Sequence, residues 1–155
     1  MNSEILERYK KMQERFKLPR LNELRDTFKF DIEKKDGMFD QIRLEISDRL
    51  FTFTEKIIEP IIAGSDSFCC LFEQNMLTDE ERNDLFRVYK KIQVLKWENN
   101  LLITHPNEKE AMKWIRKTWN FWNNELENKI IKLCKKLSVG WECLEFENKE
   151  TNYHG

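Results

Sequence analysis

Few side chains in this sequence are of a type that attacks, shuttles a proton or ligates a metal, and their spacing limits what they can do. Cys69 and Cys70 are adjacent, Cys134 and Cys143 stand far along the chain, and the only imidazoles are His105 and His154. A structural zinc site wants ligands clipped in pairs, as in CxxC, and adjacent cysteines with no nearby histidine do not supply that. A thiol enzyme needs its cysteine within hydrogen-bond reach of a base. Here the cysteine pair precedes a long helical pattern and His105 follows it. A helix of roughly 25 residues, rising ~1.5 Å per residue, holds its ends more than about 30 Å apart. The expectation is that no Cys–His pair forms, that His105 serves a helix end or loop, and that the cysteines are buried or half-buried free thiols. Asp79-Glu80-Glu81 has the composition of a metal or acid/base cluster. Acidic residues at the start of a helix are explained more simply by the helix dipole. The chain has no GxxxxGK[ST] loop, no GxGxxG, no HExxH and no Glu-x-x-His pair, so the common nucleotide, zincin and di-iron signatures are absent. The sequence therefore reads as a non-enzymatic protein with no cofactor, no metal and no evident small-molecule substrate.

Two other groups of residues suggest binding. Phe86, Tyr89, Gln93 and Trp97 form a row beside the apolar seam of one long helical pattern, and Trp114, Trp119 and Phe121 lie beside the seam of the next. A helix in a small bundle needs an apolar arc of roughly 100°, and these two exceed it. The excess has two readings: both helices are covered on two sides within the bundle, or part of the surface pairs with a second copy or another protein. In the second reading Phe86, Tyr89, Trp97, Trp114 and Phe121 are the expected interface residues, since Trp and Tyr anchor many protein interfaces, and a homodimer or protein partner follows. Lys129, Lys132, Lys135 and Lys136 form a basic face near the end of the last long pattern. That face is the alternative site, for phosphate contacts to RNA or a ribosome, although lysines there also complement the helix dipole. A second basic group, from Lys10 to Arg20, is diluted by Glu7, Glu14 and Glu23. With 27 basic against 28 acidic residues overall, the chain lacks the excess typical of a dedicated DNA-binding domain.

The elements that must position these residues are helical. Ser3 can cap a first helix carrying Ile5, Tyr9, Met12 and Phe16, which Pro19 ends. A short amphipathic turn (Leu21, Leu24, Phe28) follows and becomes extended toward Ile32. Asp36-Gly37 then marks a turn. From about Met38 to Ile62, Phe39, Ile42, Ile46, Leu50, Phe53, Ile57 and Ile61 keep helical spacing. Pro60 falls inside that stripe and predicts a kink or early end near Ile58, with Gly64 closing the element. The stretch Ser65-Asp66-Ser67 offers caps for a short helix bearing Phe68, Cys69, Leu71 and Phe72. Thr78-x-x-Glu81 and Asn107-x-x-Glu110 read as capping boxes. The first opens a heptad seam of Leu85, Val88, Ile92, Leu95, Asn99 and Leu102. The second opens a stripe of Ala111, Ile115, Thr118, Trp122, Leu126, Ile130, Leu133 and Leu137, with Gly140 as a C-terminal cap. Trp141, Leu144 and Phe146 could fold back on the bundle.

The chain has 155 residues, 40% hydrophobic and 35% charged, with only 4 glycines and 3 prolines. Such a composition favours one all-α domain over an all-β one. No run approaches the ~18 apolar residues of a membrane span, and the polar start has no signal-peptide core. These features predict a cytoplasmic protein with reduced cysteines and no membrane association. The expected architecture is a four- to five-helix bundle over residues 1–147, with two long C-terminal helices, followed by a short flexible tail over 148–155.

The order of signals also resembles a family of small, uncharacterised, all-helical archaeal cytosolic proteins. The similarity rests on a Leu-Pro-x-x-x-Glu-Leu-x-x-x-Phe-x-Ile segment, here Leu18 to Ile32 with two extra residues. A Thr-Asp/Glu-Glu-Glu helix start leading to Tyr-Lys-Lys follows, here Thr78 to Lys91. It spans about residues 5 to 141, and the aromatic segment Trp114 to Trp122 departs from it. The resemblance implies an archaeal or archaea-like cytosol and brings no catalytic residues.

Overall fold

The structure, a computed structural model, describes residues 3–32, 36–64 and 67–144. Those residues form helices joined by short connections, with no strand among them. α1 is Ser3–Phe16 and α2 is Leu21–Phe28. α3 runs from 38 to 63 through three contiguous pieces, Met38–Phe53, a π turn at Thr54–Ile58 and Glu59–Ala63. α4 is Phe68–Asn75 and α5 is Asp79–Thr104. α6 runs from 108 to 142, as Glu108–Phe121, a π turn at Trp122–Leu126 and Glu127–Glu142. The all-α reading with two long C-terminal helices stands. The expected count of four to five helices becomes six among the described residues, because both α2 and α4 are full short helices. Phe146, His154 and the tail expected over 148–155 lie outside the described residues.

The helix starts follow the side-chain chemistry. The Thr78 hydroxyl accepts from the Glu81 amide at 3.2 Å, and Glu81 accepts from the Thr78 amide at 2.8 Å. Together they complete a capping box at the head of α5. Asn107 accepts from the amides of Lys109 and Glu110 at the head of α6, at 3.0 and 3.1 Å. Gly37 and Gly64 adopt positive φ, which a side chain would oppose, and so they punctuate the two ends of α3.

Pro60 does not end the helix near Ile58, one of the two outcomes expected of it. It lacks the amide that an α-helix would use, and α3 absorbs the loss one turn earlier, where the Glu59 amide reaches the Thr54 carbonyl. Along this turn the inward positions are Thr54 and Ile58 in place of Phe53 and Ile57, and the stripe rejoins the expected one at Ile61. Gly140 also departs from expectation. It lies inside α6, which continues to Glu142. A Cβ at Gly140 would sit 2.1 Å from the Met76 sulfur, so its role is close approach to the connection after α4.

The core sits where α3, α5 and the first half of α6 face one another. All six seam residues of α5, from Leu85 to Leu102, are buried. The polar member Asn99 meets Arg43 of α3, whose guanidinium donates to the Asn99 carbonyl oxygen. Arg43 is itself buried, and Asp40 is its counter-ion at 3.3 Å, so this buried charge is both paired and hydrogen-bonded. α1 and α2 close the open side. Tyr9 stacks on Phe39 at 5.8 Å and donates to the Pro19 carbonyl at 2.9 Å; burial, and then the nearby Glu23, push its phenol well above the ordinary tyrosine range. Phe28 packs edge-on against Trp119 and Trp122 of α6.

Candidate interaction surface

Among the described residues, α5 has neighbours on two sides and none on the third. On one flank Lys96 pairs with Glu55 at 3.1 Å and the Tyr89 hydroxyl donates to Glu59 at 3.1 Å, both tying it to α3. On the other, Glu98 pairs with Lys117 at 2.5 Å and Lys91 with Glu125 at 2.5 Å, tying it to α6. Opposite the seam, a stripe along α5 faces solvent. At 100° per residue Phe86, Lys90, Val94, Trp97 and Leu101 fall within one arc of about 80°. Their apolar members are 45% (Phe86), 52% (Val94), 70% (Trp97) and 63% (Leu101) exposed. Fifteen residue steps from Phe86 to Leu101, at ~1.5 Å each, make this stripe about 22 Å long. α5 is therefore apolar on two opposite faces, and only one is covered.

The expected interface residues distribute unevenly over this geometry. Trp97 and Phe86 lie on the open stripe. The Phe86 ring is steadied by Tyr89 at 6.5 Å and by the Lys90 ammonium at 5.4 Å. Tyr89 is half-buried and turned to the α3 flank; desolvation, then its bond to Glu59, raise its pKa. Phe121 is half-buried, with the Lys91 ammonium 6.0 Å from its ring. Trp114 belongs to the core: it is 3% exposed and its indole donates to the Leu95 carbonyl at 3.0 Å. Expecting it at an interface overlooked that α6 turns this face onto α5. The sequence reading missed Val94 and Leu101. Their signal was a second helical spacing opposite the seam, interrupted by Lys90.

The stripe borders a groove of about 440 Å³ between the end of α5 and the start of α6. Leu101, Leu102 and Trp114 give it an apolar floor, and His105 stands at its rim. Its carboxylates are already engaged, Glu98 by Lys117 and Glu110 by Lys113 at 2.7 Å. The groove thus suits an apolar side chain better than acid/base chemistry. No hydrogen bond joins His105 to a cysteine among the described residues, and α5 separates it from Cys69 and Cys70.

Cys69, Cys134 and Cys143 are exposed and only Cys70 is half-buried, which corrects the expectation of buried or half-buried thiols. α4 buries none of its residues fully, and Phe68, Phe72 and Trp141 satisfy one another in a surface cluster.

Half of the lysine face is neutralised from within. Lys129 bonds Asp84, and Lys136 bonds Glu81 at 2.5 Å, clamping the second half of α6 to the head of α5. These lysines hold the Asp84 and Glu81 carboxyls below the ordinary carboxylate range. Lys132 and Lys135 remain exposed. Among the described residues no group of acidic, cysteine or histidine side chains is arranged to hold a metal, and no helix is long and apolar enough to cross a membrane. No protein-family model matches the chain, and neither does any curated protein or solved structure.

Proposed function

We propose that this protein is a non-enzymatic interaction module that docks a protein partner on the outward face of α5, with Trp97 and Leu101 as anchors. The carrying observation is the uncovered stripe Phe86, Val94, Trp97 and Leu101, opposite a seam that is already fully buried. Contiguous apolar surface rimmed by charges is what protein interfaces offer, and isolated exposed apolar residues need no such explanation. Here Lys90 stands within the stripe, and a rim along the α6 side is supplied by Arg87, Lys91 and Glu98.

The test compares tagged wild-type protein with a Trp97→Glu/Leu101→Glu variant, after circular dichroism and thermal unfolding have shown the variant folded. Proteins held by wild type and lost from the variant support the reading. A partner held equally by both overturns it. An RNA or ribosome reading is left with Lys132 and Lys135 as its free phosphate contacts. It requires salt-sensitive cosedimentation that Lys132→Glu/Lys135→Glu abolishes.

A further inference from the structure

We infer that the partner seated on α5 is a second copy of this chain, paired antiparallel, α5 against α5. This inference rests on the docking face just described and adds its occupant. Three features of the stripe carry it.

The first is its spacing. Phe86 and Leu101 lie equally far from the point between residues 93 and 94, and so do Lys90 and Trp97. A twofold axis through that point therefore sets Phe86 of one copy against Leu101 of the other. Lys90 comes over the Trp97 indole, a cation–π arrangement, and the two Val94 side chains meet near the axis. A closed twofold contact needs such self-complementarity, in which residue i meets j and j meets i.

The second is charge. Arg87 and Lys90 stand in the first half of the stripe and Glu98 in the second. Antiparallel pairing keeps Lys90 and Arg87 away from their own counterparts and sets them toward the second copy's Glu98, whose carboxylate also pairs with Lys117. Parallel pairing would stack Lys90 on Lys90 and Arg87 on Arg87, a like-charge contact that disfavours that partner orientation.

The third is the match of its two ends. In the antiparallel register the second copy's Phe86 arrives over the exposed Leu101, which also lines the 440 Å³ groove with Leu102 and Trp114. Each copy thus offers an exposed ring at one end of the stripe and an exposed aliphatic side chain at the other. The face is one helix wide, so the interface falls at the low end of the size range, below about 1,200 Å² in total. The resulting dimer is a weak one, formed in the micromolar range.

Sedimentation equilibrium from about 5 to 500 µM is the first measurement. Wild type should move from 19.0 kDa toward twice that mass. Trp97→Glu should raise the dissociation constant at least tenfold, and Lys132→Glu, away from the stripe, should leave it unchanged. Orientation is read by disulfide trapping with all native cysteines changed to serine. Val94→Cys should cross-link to itself, and Phe86→Cys should cross-link only when mixed with Leu101→Cys. Self-linking of Phe86→Cys and Leu101→Cys as readily as Val94→Cys means parallel pairing and overturns the inference. So does a 19.0 kDa species throughout the concentration range. In that last case the docking face can still be upheld by a partner that Trp97→Glu/Leu101→Glu loses, so the two failures are distinguishable.

Discussion

Arg43 and Asn99 illustrate what a single polar position can do to a core. A buried guanidinium is tolerated only where acceptors and a counter-charge surround it, and here Asp40 and Asn99 provide them from α3 and α5. Replacing Asn99 by leucine keeps the bulk of the side chain and removes the acceptor. The expected cost is about 1–3 kcal/mol, the penalty of an under-satisfied buried polar group, read from urea unfolding. Adding Arg43→Met removes the stranded charge, and the double variant should recover most of that loss. If Asn99→Leu is neutral by itself, the pair does not hold α3 against α5. The apolar positions of the same seam were legible as sequence because a 3-4 spacing needs only the type of each residue. The partner of Asn99 was not legible, since Arg43 is 56 residues away and nothing local to either residue announces the other.

At the scale of elements, the clamp between the head of α5 and the second half of α6 makes a pH prediction. Asp84 and Glu81 have folded pKa values lowered by Lys129 and Lys136. A lowered carboxyl contributes stability above its unfolded value, about pH 4, and that stability is lost as pH falls through the folded value. Both groups are open to solvent, so the contribution is modest. Unfolding midpoints measured between about pH 6 and pH 2.5 should fall, and Asp84→Asn/Glu81→Gln should flatten that fall; an unchanged slope would remove the clamp from the acid response. The meeting of α6 with Met76 makes a second prediction. Alanine is favoured over glycine inside a helix by about 1 kcal/mol, yet a methyl group at Gly140 must displace the Met76 side chain. Gly140→Ala should therefore stabilise the protein more in a Met76→Ala background than in wild type, a coupling that a double-mutant cycle in urea measures. Equal effects in both backgrounds would mean the approach is not tight. Helix identities were readable because caps and periodicity are local. The π turns were not, since each depends on how the chain accommodates one extra residue; along the one in α3, Thr54 and Ile58 turn inward in place of Phe53 and Ile57. The open stripe was half legible: Phe86 and Trp97 were visible as aromatics, but Val94 and Leu101 look like core residues until α5 is seen to be covered on one face only.

For the molecule as a whole, an α5-to-α5 dimer links assembly to stability. If only the folded chain pairs, the thermal midpoint must rise with protein concentration. A scan from about 5 to 500 µM should show that rise for wild type and a flat response for Trp97→Glu; a flat response for both would count against pairing of the native state. The placement of α1 and α2 has a different consequence, in time. Their contacts reach far ahead in the chain: Arg8 bonds Glu108 at 2.5 Å, Arg116 donates to the Phe16 carbonyl at 3.2 Å, and Phe28 rests on Trp119 and Trp122. During synthesis, which proceeds from the N-terminus, the first two helices can meet α3 early, through Tyr9 and Phe39, but their partners on α6 emerge only once the chain has grown past Trp122. The α5–α6 hairpin closes over a short connection and pays little loop entropy. The part made first is thus completed last, and the apolar surface of α1 and α2 that α6 covers, Phe28 above all, spends most of synthesis in water.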